Sequence, residues 1–275
     1  MILDTMAPAE ELQDKLSALE QLLLAYGRVA IGFSGGVDSS FLAAVCARIM
    51  PTNTLLVHLT TPLIGTPEQA SFERSVDGQT DEGPHFMLPV LNLSVDQLQL
   101  PQVACNDADR CYHCKHALFT TLWERVRADG YTVLLDGTNA SDDASDRPGM
   151  RALKELSVLS PLRLCGVTKA QVREQSRQAD LFTWDKPAYA CLATRVPTGT
   201  PITQDKLTKI ERAEQALAEL GFTDFRVRLA GNTARLEMTA AQLAQAAARY
   251  EQIIAALGAD FDAVVLDLTP RRASR

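Results

Sequence analysis

Apolar positions along the chain follow two periods. Leu12, Leu16, Leu19 and Leu23 recur every three or four residues, which predicts an amphipathic helix over 8–26, with Pro8 at a first helical position and Gly27 as the cap. An apolar run at 29–33 follows and reads as a short buried strand. A Ser/Gly turn, a helix over 38–49 and a strand at 55–59 complete a strand–helix–strand unit. Further strands are predicted at 86–90 and 132–136, with helices at 111–128 and 168–178. Strands alternating with helices imply an α/β fold, a parallel sheet with helices on both faces.

Beyond residue 185 the rhythm changes. A helix over 203–220, strands at 226–229 and 234–238, a helix over 240–257 and a strand at 263–268 follow in order. The stretch 187–201 carries Pro187, Pro197, Pro201 and Gly199 and marks the boundary. The expectation is two α/β domains, 1–185 and a smaller 186–275, with 271–275 as a frayed tail.

Composition narrows the classes. The chain has 275 residues, long enough to bury a core without disulfides or metal, and 46% hydrophobic against 22% charged residues excludes disorder. A net charge of −7 argues against broad nucleic-acid binding and leaves room for a local basic pocket. No apolar run approaches a membrane span, and residues 1–5 lack the basic and apolar regions of a signal peptide. A cytoplasmic protein is expected. Six cysteines in that compartment point to metal or reactive sulfur rather than a disulfide framework.

The strongest motif is Ser34-Gly35-Gly36-Val37-Asp38-Ser39, between a buried strand and a helix start. The glycines let the backbone turn sharply, and the helix N-terminus offers free N–H groups to an anion. Ser34 and Ser39 add hydroxyls, and Asp38 is placed to hold Mg²⁺ against pyrophosphate oxygens. A plain capped turn is the bland reading. The loop is neither GxxxxGK[ST] nor GxGxxG. It resembles the PP-loop of the ATP pyrophosphatase (adenine nucleotide α-hydrolase-like) superfamily, whose members adenylate an oxygen, release pyrophosphate and let a nucleophile displace AMP.

Cys111 and Cys114 form a CxxC at a predicted helix start, on one helical face, while Cys191 sits in the Pro-rich boundary. Three readings compete. Zinc needs two further ligands, from His113, His116 or Cys191; a redox pair is a second reading; a [4Fe–4S] cluster on Cys111, Cys114 and Cys191 with one open iron is the third. Cys46 reads as a small core residue, and Cys105 and Cys165 carry no such setting.

Six motifs then occur in one order: SGGVDS at 34–39, TTPLI at 60–64, NDADRCYHCKHALF at 106–119, LDGTN at 135–139, DDASDRPGM at 142–150 and ACLATRVPTGT at 190–200. Together they resemble the LarE-type pyridinium-3,5-biscarboxylic acid mononucleotide sulfurtransferases of nickel-pincer cofactor biosynthesis, over roughly residues 15–270. The resemblance implies ATP and Mg²⁺ as cofactors, adenylation of a substrate carboxylate, and conversion to a thiocarboxylate for the cofactor of lactate racemase. It also implies a small-molecule mononucleotide substrate, a homo-oligomer and no nucleic-acid or membrane partner. The family's sulfur-bearing cysteine aligns with Cys191. Some members sacrifice it to dehydroalanine, and others use a three-cysteine cluster like the set here.

Individual residues acquire roles in that light. Gly137, in the turn after a strand, lies where parallel sheets bind nucleotides. Lys115 is placed for phosphate or a developing adenylate charge. Arg195, Arg226 and Arg228 offer planar forks for phosphate and carboxylates, the last two on one strand face. A solvated face is the alternative for Arg226 and Arg228. Asp142, Asp143, Asp146 and Arg147 form a polar loop, functional or merely solvated. Glu214 and Glu237 align near a subunit interface in the family, yet surface charge explains either. The segment 77–83 is polar and Gly-rich where relatives carry a longer helix after a helical 68–76. Two rivals stand beside the sulfurtransferase: a tRNA-thiolating PP-loop enzyme, and a nucleotide-binding sensor with a structural zinc.

Overall fold

The computed structural model describes residues 8–76, 86–142 and 148–271. The segment 77–83, Asp143, Asp146, Arg147 and the tail 272–275, singled out above, lie outside them. The chain divides into two compact units. The first takes the described residues of Met1–Thr60, Pro67–Val95 and Tyr112–Lys186; the second takes Thr61–Thr66, Asp96–Cys111 and Pro187–Arg275. Two segments outside the C-terminal range, 61–66 and 96–111, thus belong with it.

In the first unit, β1 (Val29–Gly32), β2 (Thr54–Thr60), β3 (Val90–Ser94) and β4 (Val133–Leu135) form, among the described residues, one parallel sheet in the order β3-β2-β1-β4. Among the described residues the helices up to the boundary are α1 (Pro8–Tyr26), α2 (Val37–Ile49), α3 (Thr66–Val76), α4 (Pro101–Ala104), which belongs to the second unit, α5 (Arg110–Ala128), α6 (Pro148–Glu155), α7 (Pro161–Leu164) and α8 (Lys169–Gln178). Strand residues alternate between two apolar layers. Val29, Ile31 and Leu56 pack with Leu19, Leu23 and Leu42 of α1 and α2 and Val172 of α8. Ala30, Leu55 and Leu134 pack with Leu122 and Val126 of α5 and Leu153 of α6. Each fully buried leucine contributes about 1.5–3 kcal/mol, so both faces of the sheet are held by apolar burial.

The sequence places the third strand at 86–90, and the structure corrects this. Pro89 has no N–H for a ladder, so only its carbonyl joins, accepting from Leu56 N at 2.9 Å, and pairing begins at Val90. Phe86 and Leu88 are buried as core rather than strand.

β1 lies between β2 and β4, and the sheet changes direction of travel there. Val29 pairs with Val133, Ala30 with Leu134 and Ile31 with Leu135, so the turns after β1 and β4 leave the same sheet edge side by side. Such a switch point is where open parallel sheets bind ligands. The approach is tight: a Cβ on Gly137 would stand 2.9 Å from the Ser39 N and 3.2 Å from the Asp38 Cβ.

In the second unit, β5 (Arg226–Ala230), β6 (Thr233–Glu237) and β7 (Ala263–Leu266) form a sheet in the order β5-β6-β7, antiparallel then parallel. Leu207, Ile210, Ala213 and Leu217 make the buried stripe of α9 (Gln204–Glu219). The helix expected over 240–257 is two, α10 (Ala240–Ala248) and α11 (Tyr250–Leu257). The break falls at Arg249, whose guanidinium is drawn to the Leu220 carbonyl and the Phe222 ring.

Gly137→Ala should destabilise the protein by about 1–3 kcal/mol, because the new methyl meets backbone rather than a movable side chain. Urea unfolding measures this, and an unshifted midpoint would show that the two turns are not packed as described.

Candidate active site

The turn after β1 is built around its glycines. Gly35 has φ +71°, and a Cβ there would come within 2.9 Å of the Phe72 N. The Ser34 and Ser39 hydroxyls lie 3.1 Å apart, and Ser39 Oγ also donates to the Gly36 carbonyl at 3.1 Å. Gly36 caps α2 without a side-chain hydrogen bond, which leaves the helix's first N–H groups available to an anion. Beneath the turn, buried His58 stacks on Phe72 at 3.5 Å, with its Nδ1 3.0 Å from the Phe33 carbonyl.

Asp38 carries the charge of this site. Its Oδ1 accepts from Asn139 Nδ2 at 3.1 Å and its Oδ2 from Lys169 Nζ at 2.6 Å. Burial pushes its carboxyl above the ordinary carboxylate range, opposed chiefly by the Lys169 ammonium. A carboxylate oxygen that already holds a cationic group suits a small hard cation such as Mg²⁺. At the other end of the turn, Lys186 Nζ donates to the Gly35 carbonyl at 3.2 Å and pairs with Glu68 at 2.9 Å. Burial holds its pKa below the usual lysine value, against the pull of Glu68.

The first unit therefore brings together Ser34, Gly35, Gly36, Asp38, Ser39 and Gly137 as the sequence proposes. It adds Lys169, Lys186 and a role for Asn139 that sequence reasoning missed. Asn139 was visible in the LDGTN motif; the two lysines carry no local signature. Lys115 lies instead along α6, where a Cβ on Gly149 would stand 2.9 Å from its Cδ. Asp136 is occupied locally by the Ser160 and Thr138 hydroxyls, and Asp142 caps the Asn139 N–H at 2.9 Å.

The second unit holds the proposed sulfur residue. Cys191 precedes a short 3₁₀ turn, Leu192–Arg195, and burial pushes its thiol pKa up. The Arg110 guanidinium opposes that push, and nearby Cys111 adds to it. Arg110 Nη1 bonds Asn106 Oδ1 and the Ala193 carbonyl (3.2 Å), while Nη2 reaches Cys111 Sγ at 3.6 Å. Asn106, fully buried, donates from Nδ2 to the carbonyls of Val196, Pro197 and Thr200. Cys114 lies one turn beyond Cys111 on α5. Among the described residues no three Cys, His, Asp or Glu side chains are grouped as metal ligands. Cys46 is buried with its thiol pushed up to about 12, as a core residue should be.

The three arginines differ sharply. Arg195 is 1% exposed, with Nε and Nη2 on the two oxygens of Glu214 at 2.9 and 3.0 Å. Its Nη1 reaches the carbonyls of Ala190 and Cys191 and the Thr194 hydroxyl. That guanidinium is engaged as a brace of the Cys191 turn, not as a free fork. Arg226 is also buried, its donors on the Phe225 and Ala188 carbonyls and its plane near Tyr189. Arg228 alone stands partly open, paired with Glu237 at 2.7 Å in a cavity of about 460 Å³ that Arg235 and Thr194 also line. The surface-charge reading of Glu214 is overturned. It is 8% exposed and also accepts the Val227 N–H at 3.0 Å.

Comparison with known proteins adds an independent line. No protein-family model matches the chain. It is 35% identical over 234 residues to an uncharacterised protein of Synechocystis, covering 85% of each chain. It is 27% identical over 267 residues to the pyridinium-3,5-bisthiocarboxylic acid mononucleotide synthase of Lactiplantibacillus plantarum, covering 96% of this chain and 94% of that one. An uncharacterised protein of Methanocaldococcus jannaschii is 29% identical over 211 residues, 77% of each.

Glu214→Ala should strip Arg195 of its buried counter-ion and cost about 3–5 kcal/mol. Denaturant unfolding checks it, and a loss under about 1 kcal/mol would place the pair in solvent rather than in the core.

Proposed function

We propose, because the chain belongs to the LarE-type family within the PP-loop superfamily, that it is an ATP-dependent sulfurtransferase acting on pyridinium-3,5-biscarboxylic acid mononucleotide. The observation that carries this reading is the meeting, at the switch point of the sheet, of an uncapped helix start with Asp38, Lys169 and Lys186. Those groups suit a nucleotide's phosphates. Mg²⁺, when bound at Asp38, supplies charge neutralisation of the leaving pyrophosphate. A substrate carboxylate oxygen attacks the α-phosphorus, the bond to the β-phosphate oxygen breaks, and the acyl adenylate forms.

Sulfur then attacks the acyl carbon and AMP leaves with the former carboxylate oxygen. In the sacrificial route the nucleophile is the Cys191 thiolate. The resulting thioester loses the Cys191 Cα proton, its Cβ–S bond breaks, and the thiocarboxylate departs from a dehydroalanine. Arg110, whose guanidinium favours the Cys191 thiolate against burial, supports this route. A homo-oligomer belongs to the same proposal, supported by Tyr250, Ile254, Val265 and Leu268, each at least 43% exposed in the second unit.

Two measurements test the chemistry. Asp38→Ala should abolish Mg²⁺-dependent pyrophosphate release from ATP in the presence of the dicarboxylate mononucleotide while the protein stays folded; undiminished release would remove the turn after β1 from the reaction. The further proposal that Cys111, Cys114 and Cys191 take up a [4Fe–4S] cluster predicts iron and acid-labile sulfide after anaerobic reconstitution, lost in each Cys→Ala variant. An iron-free protein that forms dehydroalanine at Cys191 in step with product would assign the sulfur to Cys191 itself.

A further inference from the structure

The phosphate turn contains no lysine, and the cation nearest its acidic residue comes from far along the chain. Lys169 Nζ lies 2.6 Å from Asp38 Oδ2. We propose that Lys169 is an exchangeable counter-ion: it neutralises Asp38 in the ligand-free protein and moves onto the nucleotide's phosphates when Mg²⁺ replaces it on Asp38. The inference rests on the nucleotide reading above and concerns the first unit alone.

Three features allow the exchange. Lys169 and Asp38 keep 24% and 23% of their side-chain surface, so water and ions reach the pair. Asp38 Oδ1 is fixed by Asn139, which leaves Oδ2 as the oxygen that changes partner. The backbone of Lys169 does not need to move. It is the first residue of α8, behind a Thr168–Gln171 capping box, and its N–H donates to Ser141 Oγ at 3.0 Å. Only the flexible four-carbon stem has to swing. Lys186 is differently placed, since its ammonium is engaged by both Glu68 and the Gly35 carbonyl at the opposite end of the turn.

The consequence is thermodynamic. A metal ion arriving alone must first break the Lys169–Asp38 pair, and a nucleotide arriving alone must do the same to recruit the ammonium. Whichever binds first removes that cost for the other, so the two ligands assist each other, and by the same factor in both directions. A purely structural lysine would give no such coupling.

Removing the ammonium should therefore shift the two affinities in opposite senses. In Lys169→Met, Mn²⁺ binding without nucleotide, followed by electron paramagnetic resonance, should tighten about fivefold as a competing cation leaves Asp38. Calorimetric binding of α,β-methylene-ATP at saturating Mg²⁺ should weaken about tenfold as a charge-assisted contact is lost. Lys169→Gln carries the same expectation, and Lys169→Arg should keep both affinities within about threefold of the wild type. If the wild-type protein binds the analogue, unchanged affinities in Lys169→Met and Lys169→Gln, or both affinities falling together, would overturn the exchange and leave the nucleotide reading standing. Wild-type protein that binds no α,β-methylene-ATP would overturn both.

Discussion

Pairing of β1 with β4 is the constraint from which the first unit's chemistry follows. Because the two strands run parallel and in register, their C-terminal turns must emerge together, and neither can be reshaped without the other. Ser34–Ser39 supplies the sharp turn and the open helix end. The 136–139 turn supplies Asn139 to hold Asp38, and a glycine where a larger residue would push the helix start away. Apolar layers on both faces lock this arrangement, so a few polar groups sit on a stiff frame rather than on loops left to themselves.

The second unit solves a different problem. Arg195 and Glu214 place opposite charges where water is largely excluded, which is costly unless every donor and acceptor is matched. Here the matching is extensive: Glu214 also takes a main-chain N–H, and Arg195 spreads over the oxygens of 190–194. The pair is best understood as scaffolding for one turn. Asn106 plays a neutral version of that part, stitching the segment before α5 to residues 196–200.

Much of this was legible in the sequence because it depends on local pattern. Periodicity located β1, β2, α1 and α2, and the SGGxDS run could be placed at a helix start without any knowledge of tertiary contacts. What sequence could not disclose was long-range. Lys169 and Lys186 are separated from the turn they serve by more than a hundred residues, and only the packing of α8 and the segment after it brings them there. Sequence also misled at Glu214 and Arg195: one acidic residue among the four of α9 reads as surface, and an arginine reads as a free fork, until the two are known to be buried against each other. Pro89 is the converse case: its missing N–H was written in the sequence, and it was enough to move a strand start.

The turn bearing Cys191 is held by Arg195 on the carbonyls of Ala190 and Cys191, by Thr194 on the Cys191 carbonyl and by the Leu192 N–H on the Leu63 carbonyl. None of these anchors uses a side-chain atom of Cys191. These main-chain anchors therefore hold the backbone of the turn independently of the thiol that it carries. Replacing that thiol by a hydroxyl or a methyl group would leave each of these main-chain anchors in place, so the turn and its sulfur can be altered one without the other.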